Sequence, residues 1–218
     1  AGTRQKSQAR RAARCVMTKI KLCGLYRPCD IETANELKPE YIGFVFASKS
    51  KRYITPEKAA NLKRLLNPNI KAVGVFVDEN PENIVCLLNS GTIDICQLHG
   101  SEDEAYIHDL RQLTDRAIIK AFRIQSAGDI EAVNRCTAEY VLLDSGAGTG
   151  TIFDWALIQG IQRPYFLAGG LGIDNIDAAV KLLHPYAVDV SSGIETDGLK
   201  DKTKMAAFAA AVRKEEKI

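Results

Sequence analysis

A thiol, a carboxylate and a guanidinium stand along this 218-residue chain at places where short apolar runs stop. Cys23 ends the run Lys19-Ile-Lys-Leu-Cys and is followed by Gly24, while Asp144 ends Tyr140-Val-Leu-Leu. A free thiol of pKa ~8.5 is only slightly ionised near neutrality, but a nearby cation lowers that value. A carboxyl at an apolar strand end is instead raised toward neutrality. Such a pair suits proton abstraction beside an imine, with proton delivery elsewhere. Cys23 also reads as a buried structural thiol, and residue types alone leave both readings open. Arg52 follows Lys49 and Lys51, so it belongs either to a solvated charge run or to a fork that clamps a substrate carboxylate.

Cys23 and Asp144 lie 121 residues apart, so only tertiary structure can join them. The run Lys19–Cys23 alternates lysine with Ile20 and Leu22, as a strand buried on one face requires. Asp30 is a helix N-cap candidate for the segment ending at Leu37. Tyr41–Phe46 is a continuous apolar run, as a buried parallel strand should be. Thr55-Pro56 opens a helix whose inner face is Ala59, Leu62, Leu65 and Leu66. The alternation continues with strands Ala72–Val77, Ile93–Leu98, Ala117–Phe122, Tyr140–Leu143, Tyr165–Ala168 and Ala187–Val190. Helices are expected near Asn80-Pro81, over Glu102–Leu113 and Ala127–Asn134, around Phe153–Trp155, from Asp174 and from about Asp201. Eight strand–helix units of this kind close a barrel, so the fold class is α/β, a single-domain (βα)8 TIM barrel. An open doubly wound sheet would want fewer strands and a GxGxxG after the first, which is missing.

In such a barrel the active site forms at the carboxyl ends of the strands. Those positions hold Cys23, Arg52, Asp78, His99, Arg123, Asp144, Gly169-Gly170 and Ser191-Ser192-Gly193. The glycine-rich corners after the last two strands let backbone N–H groups and Ser hydroxyls approach a phosphate, against the plainer reading of tight turns. Gly146–Gly150 reads as a lid, a second ligand contact or a connector. His99 either touches substrate or caps its loop. His108 and His184 look structural, and no histidine has metal-ligand spacing.

At 46% hydrophobic the chain can bury a large core, and no apolar run approaches a bilayer span. The net charge of +2 is misleading. Residues 1–16 hold five basic side chains and no acid, so the remainder has 24 basic against 27 acidic, a net of −3. Residues 1–16 are expected to be a leader or expression remnant, disordered, with Met17 as the natural start of the barrel domain over 17–218. A nucleic-acid arm gets no support later in the chain. Six cysteines without a CxxC pair or secretory signal point to thiols in a reducing cytoplasm. A monomer is expected, because no strongly apolar exposed helix face stands out.

Taken together, Lys21-Leu-Cys-Gly24, Gly43-Phe-Val-Phe46, Ser48–Tyr53, Val73–Val77, Gln97-Leu-His-Gly100, Leu142-Leu-Asp144, Gly148-Thr-Gly150 with Phe153-Asp-Trp155, Gly169-Gly-Leu171 and Val188–Gly193 resemble the phosphoribosylanthranilate isomerase family of tryptophan biosynthesis. They run in order from about Thr18 onward. The resemblance implies an Amadori rearrangement of N-(5-phosphoribosyl)anthranilate to 1-(2-carboxyphenylamino)-1-deoxyribulose 5-phosphate, with no metal and no organic cofactor. It implies Asp144 as general acid on the ring oxygen and Cys23 as the base at C2. It further implies Arg52 on the anthranilate carboxylate and the Gly169-Gly170 and Ser192-Gly193 backbones on the phosphate, with Asp189 a supporting contact and His99 and Ser191 beside them. Tyr26, Thr151 and Ala168 depart from frequent family residues, which bears on loop contacts rather than on the acid and base. Cys23 also separates the chain from bifunctional relatives that carry Asp there and act on a histidine-pathway substrate as well. The rival enzyme reading is another phosphate-binding barrel isomerase or epimerase, and a binding-only barrel has no need of a matched acid and base.

Overall fold

Eight short strands close on themselves in chain order, every neighbouring pair parallel, in a computed structural model that describes residues 17–126, 128–144, 158 and 160–214. They are β1 (Lys19–Cys23), β2 (Tyr41–Val45), β3 (Lys71–Phe76), β4 (Ile95–Leu98), β5 (Ile118–Arg123), β6 (Tyr140–Asp144), β7 (Tyr165–Ala168) and β8 (Ala187–Val190). The seam is β1 on β8, with Lys21 opposite Asp189. Around them run α1 (Pro28–Leu37), α2 (Pro56–Leu65), α3 (Pro81–Asn89), α4 (Glu104–Leu113), α5 (Gly128–Arg135), α6 (Ile176–Leu183) and α7 (Lys202–Lys214). Proline occupies the first turn of α1, α2 and α3, where its missing N–H is no loss. The barrel is thus as expected from the pattern of apolar runs. The expected helix around Phe153–Trp155 and the Gly146–Gly150 loop lie outside the described residues, as do residues 1–16.

Alternation along each strand sorts side chains into two buried sets. Ile20, Leu22, Ile42, Phe44, Ala72, Leu98, Leu143, Val188 and Val190 join the core shared with the helices. Tyr41, Val73, Ile95, Ile119, Ala121, Leu142, Phe166, Ala168 and Ala187 fill the barrel itself. The N-terminal end of the barrel is plugged by Tyr186, whose hydroxyl lies 3.1 Å from that of Tyr41 and accepts from the Lys19 ammonium at 2.7 Å.

Three local expectations are corrected. Lys21 is not on a solvated face: it is fully buried inside the barrel, while Ile20 and Leu22 face the helices. Leu65 is exposed rather than on the inner face of α2, which Ala59 and Leu62 supply with Leu66 just beyond. Asp30 sits in the first turn of α1 rather than ahead of it, and accepts from the backbone N–H groups of Tyr26 and Arg27 at 3.2 and 3.0 Å.

The loop after β4 is held from below. Lys120, on β5, donates to Glu102 Oε2 at 2.7 Å and to the Gly100 carbonyl at 2.9 Å. Glu102 also accepts from the amides of Asp78 and Gly100, each at 2.8 Å. Both side chains are buried, so removing one partner strands the other charge. Lys120→Ala should therefore lower unfolding stability by about 3 kcal/mol in urea titration. A loss under about 1 kcal/mol would mean that the two amides alone hold Glu102.

Candidate active site

The C-terminal ends of the strands surround a cavity of about 350 Å³, within the range of small-molecule sites. Cys23, Arg52, His99, Asp144, Gly169, Gly170, Asp189, Ser191 and Ser192 all line it, so residues scattered over the chain meet at one mouth. Gly193 lines an adjoining cavity of about 370 Å³, together with Gly170 and Ser192. Of the strand-end candidates, Asp78 and Arg123 are not brought in. Asp78 is exposed and accepts from the amide and hydroxyl of Ser101 at 2.7 and 2.8 Å, and Arg123 is exposed too.

Cys23 is buried at the top of β1, packed with Val45 and Val75. Its thiol occupies the space that a side chain on β2 would need, since a Cβ at Gly43 would lie 2.6 Å from the sulfur. Lys21 lies two residues before it on the same inward face and donates to Asp189 Oδ2 at 2.9 Å. Burial pushes the Cys23 thiol up, and Asp189 adds to this, while the Lys21 and Lys200 ammoniums pull it down. Burial works against the Lys21 ammonium, but Asp189 and Cys23 outweigh it and hold its pKa above the ordinary value.

Asp144 ends β6 and meets His99 across the mouth, Oδ2 to Nε2 at 3.2 Å. Gln97 Nε2 lies 2.9 Å from the other ring nitrogen, Nδ1. Gln97 is buried, lines the cavity, and keeps an amide oxygen without a partner among the described residues.

Arg52 grips a protein carboxylate with both arms of its fork. Its Nε and Nη2 donate to the two oxygens of Glu195 at 2.6 and 2.7 Å. Glu195 comes from a hairpin after β8, formed by β9 (Glu195–Thr196) and β10 (Leu199–Lys200). Lys200 shares Glu195 at 2.6 Å and also donates to the Ser191 carbonyl at 2.9 Å. Burial disfavours ionised Glu195, yet Arg52 and Lys200 hold its carboxyl below the usual range. The two glycine corners approach closely: a Cβ at Gly193 would lie 2.0 Å from the Leu171 carbonyl oxygen. Ala at 193 is thereby excluded, and backbone rather than side chain forms that wall.

Sequence reasoning missed Lys21, Gln97, Glu195 and Lys200. Gln97 and Lys21 each sit two residues before a strand-end candidate, a spacing that puts them on the same face. Glu195 and Lys200 carry no comparable signal.

A family model described as N-(5'-phosphoribosyl)anthranilate (PRA) isomerase matches residues 20–211. The chain belongs to this isomerase family. It is 45% identical over 204 residues to the N-(5'-phosphoribosyl)anthranilate isomerase of Thermoanaerobacter sp. (strain X514), covering 90% of this chain and 98% of that one. The phosphoribosyl anthranilate isomerase of Thermotoga maritima superposes with a TM-score of 0.82 at 35% identity, over 91% of this chain and all of that one. A solved isomerase in complex with reduced 1-(o-carboxyphenylamino)-1-deoxyribulose 5-phosphate gives 0.80 at 34% identity, with the same coverage.

Within this isomerase barrel the Gly43 position has a measurable consequence. Gly43→Ala should displace the thiol and lower kcat by on the order of 10², in a protein whose far-UV circular dichroism is unchanged. An unaltered kcat would show that the thiol need not sit where β2 leaves room for it.

Proposed function

We propose that Cys23 and Asp144 divide base and acid work at this mouth. The chain catalyses the Amadori rearrangement of N-(5-phosphoribosyl)anthranilate, an aminoaldose, to 1-(2-carboxyphenylamino)-1-deoxyribulose 5-phosphate in tryptophan biosynthesis. The reaction is an internal redox exchange between C1 and C2, so atoms and electrons balance within the substrate. Protonated Asp144 gives its proton to the furanose ring oxygen as the C1–O bond breaks and the nitrogen lone pair forms C1=N. The Cys23 thiolate removes the C2 proton; the freed pair forms C1=C2 and the imine pair returns to nitrogen. The resulting enol-amine takes a proton at C1 as its C2 hydroxyl becomes the ketone.

The observation that carries this reading is that the thiol of β1 and the carboxylate of β6 line one cavity with Arg52 and the glycine corners. Arg52 is assigned to the anthranilate carboxylate because its fork already binds a carboxylate side-on. Gly169, Gly170, Ser191, Ser192 and Gly193 are assigned to the phosphate, supported by their place in the walls of the two adjoining cavities. His99 and Asp189 are assigned to substrate contacts, His99 being bonded to Asp144.

We read the domain as beginning near residue 17 and acting as a monomer, a reading supported by Cys23, Arg52 and Asp144 meeting at the mouth of one barrel; the Thermotoga maritima relative is described as dimeric. A reducing cytoplasm suits Cys23, Cys29, Cys86, Cys96 and Cys136, all free. No helix among the described residues is long and apolar enough to cross a membrane.

The test is loss of anthranilate-adduct fluorescence when the protein meets freshly made phosphoribosylanthranilate. Cys23→Ser and Asp144→Ala should each lower kcat by about 10² to 10⁴, with KM changed far less. Arg52→Ala should mainly raise KM. Full kcat in either of the first two variants would remove that residue from its role, and an unchanged KM in the third would remove Arg52 from carboxylate binding.

A further inference from the structure

Lys21 is a fully buried ammonium on the inward face of β1, two residues before Cys23, and the division of labour above gives it nothing to do. Three observations bear on it. The register of the closing seam sets Lys21 beside Asp189, and their side chains bond at 2.9 Å. Asp189 spends only Oδ2 on that bond; its Oδ1 is buried and has no partner among the described residues. Cys23 follows Lys21 by two residues on the same inward face, with its thiol confined against Gly43. One ammonium therefore stands between a carboxylate and the thiol that must become a thiolate.

We propose that Lys21 is a positioning residue that supplies the counter-charge for the Cys23 thiolate, and that Asp189 sets how much of that charge Cys23 receives. The proposal deepens the reading of Cys23 as base and rests on it. A base buried this deeply cannot rely on water to stabilise its anion, so a fixed cation must do so. Asp189 keeps the cation charged and in place while Cys23 is still a neutral thiol, when an unpaired buried ammonium would be costly. As the thiol gives its proton to solvent in the open cavity that it lines, the ammonium interacts with two anions, and as Cys23 takes the C2 proton the pair with Asp189 is restored. No group leaves the protein in this exchange: Lys21 keeps its proton throughout, and only Cys23 gains or loses one.

The charged groups facing the thiol come from four elements. Lys21 is on β1, Asp189 on β8, Lys200 on β10, and Arg52 on the loop after β2. Lys200 and Arg52 bond to Glu195 as Lys21 does to Asp189, and of the three cations Lys21 is the one on the same strand face as the sulfur. Substitutions at Lys21 and Asp189 should accordingly move the thiol in opposite directions.

The experiment is the pH profile of Cys23 alkylation by iodoacetamide in the intact protein, followed on the Cys23 peptide by mass spectrometry because Cys29 and Cys86 are exposed. Lys21→Met should shift the midpoint up by about one to three pH units, the range for losing one close opposite charge. Asp189→Asn, of the same shape and able to keep a hydrogen bond, should shift it down. Lys21→Arg, which retains the charge, should stay closer to wild type than Lys21→Met. Midpoints that do not move, or that move the same way in Lys21→Met and Asp189→Asn, would overturn the proposal and leave the pair as packing. Should Lys21→Met fail to fold, the downward shift in Asp189→Asn decides alone, and its absence overturns the proposal. In turnover, Lys21→Met should lose kcat more than KM and recover part of it as pH is raised. Alkylation needs no substrate, so a protein with these shifts but no isomerase activity would refute the assigned reaction and not the role of Lys21.

Discussion

An ammonium with no access to water costs several kcal/mol unless a carboxylate meets it, and in this barrel that requirement falls on the seam. Lys21 and Asp189 are register partners across β1 and β8. A one-residue slip of β1 against β8 would turn Lys21 to the helix side and leave Asp189 inside the barrel without its cation. Closing the barrel, neutralising the buried charge and placing the Cys23 thiol are therefore one structural event. Ser191, which follows β8, ties the same seam at the rim by donating its hydroxyl to the Cys23 carbonyl at 3.2 Å.

The rim is organised by carboxylates that serve as supports for donors. Glu102 collects Lys120 and two loop amides, which fixes the Gly100 turn directly after His99. Glu195 collects Arg52 and Lys200. In each case an anion that is buried, as Glu102 is, or half-buried, as Glu195 is, satisfies several donors at once, which is what makes its removal from water tolerable. Loops anchored in this way hold His99 and Arg52 at set positions before substrate arrives, and preorganised donors cost no reordering during the reaction.

The barrel was legible because its strands are short, apolar and evenly spaced, and because strand ends are where this architecture collects chemistry. That rule picks out Cys23, Asp144, Arg52 and the glycine corners, and the fold brings them around one cavity. Lys21 was misread for a physical reason: alternation of charge with Ile20 and Leu22 has the same period whether the polar face meets water or a barrel interior. Parity along the strand would have removed Asp78, since Val73 and Val75 face inward and residue 78 is out of step with them. It would also have flagged Gln97 two residues before His99. Glu195 was invisible because its pairing with Arg52 spans 143 positions, and a two-residue strand leaves no periodic trace.

The bidentate hold of Glu195 on Arg52 changes what binding an aromatic carboxylate involves. The fork does not wait in water; it already faces a planar pair of oxygens at 2.6 and 2.7 Å. A substrate carboxylate that takes one arm exchanges one charge-assisted bond for another, so the gain is smaller than for an unpaired arginine. Glu195 is not stranded by the exchange, because Lys200 remains on it at 2.6 Å. On the proposed assignment the return for this modest gain is orientation: Glu195 holds Arg52 at the cavity wall, and its affinity for carboxylate would go to placing the reacting carbons beside Cys23 rather than to tight ground-state binding.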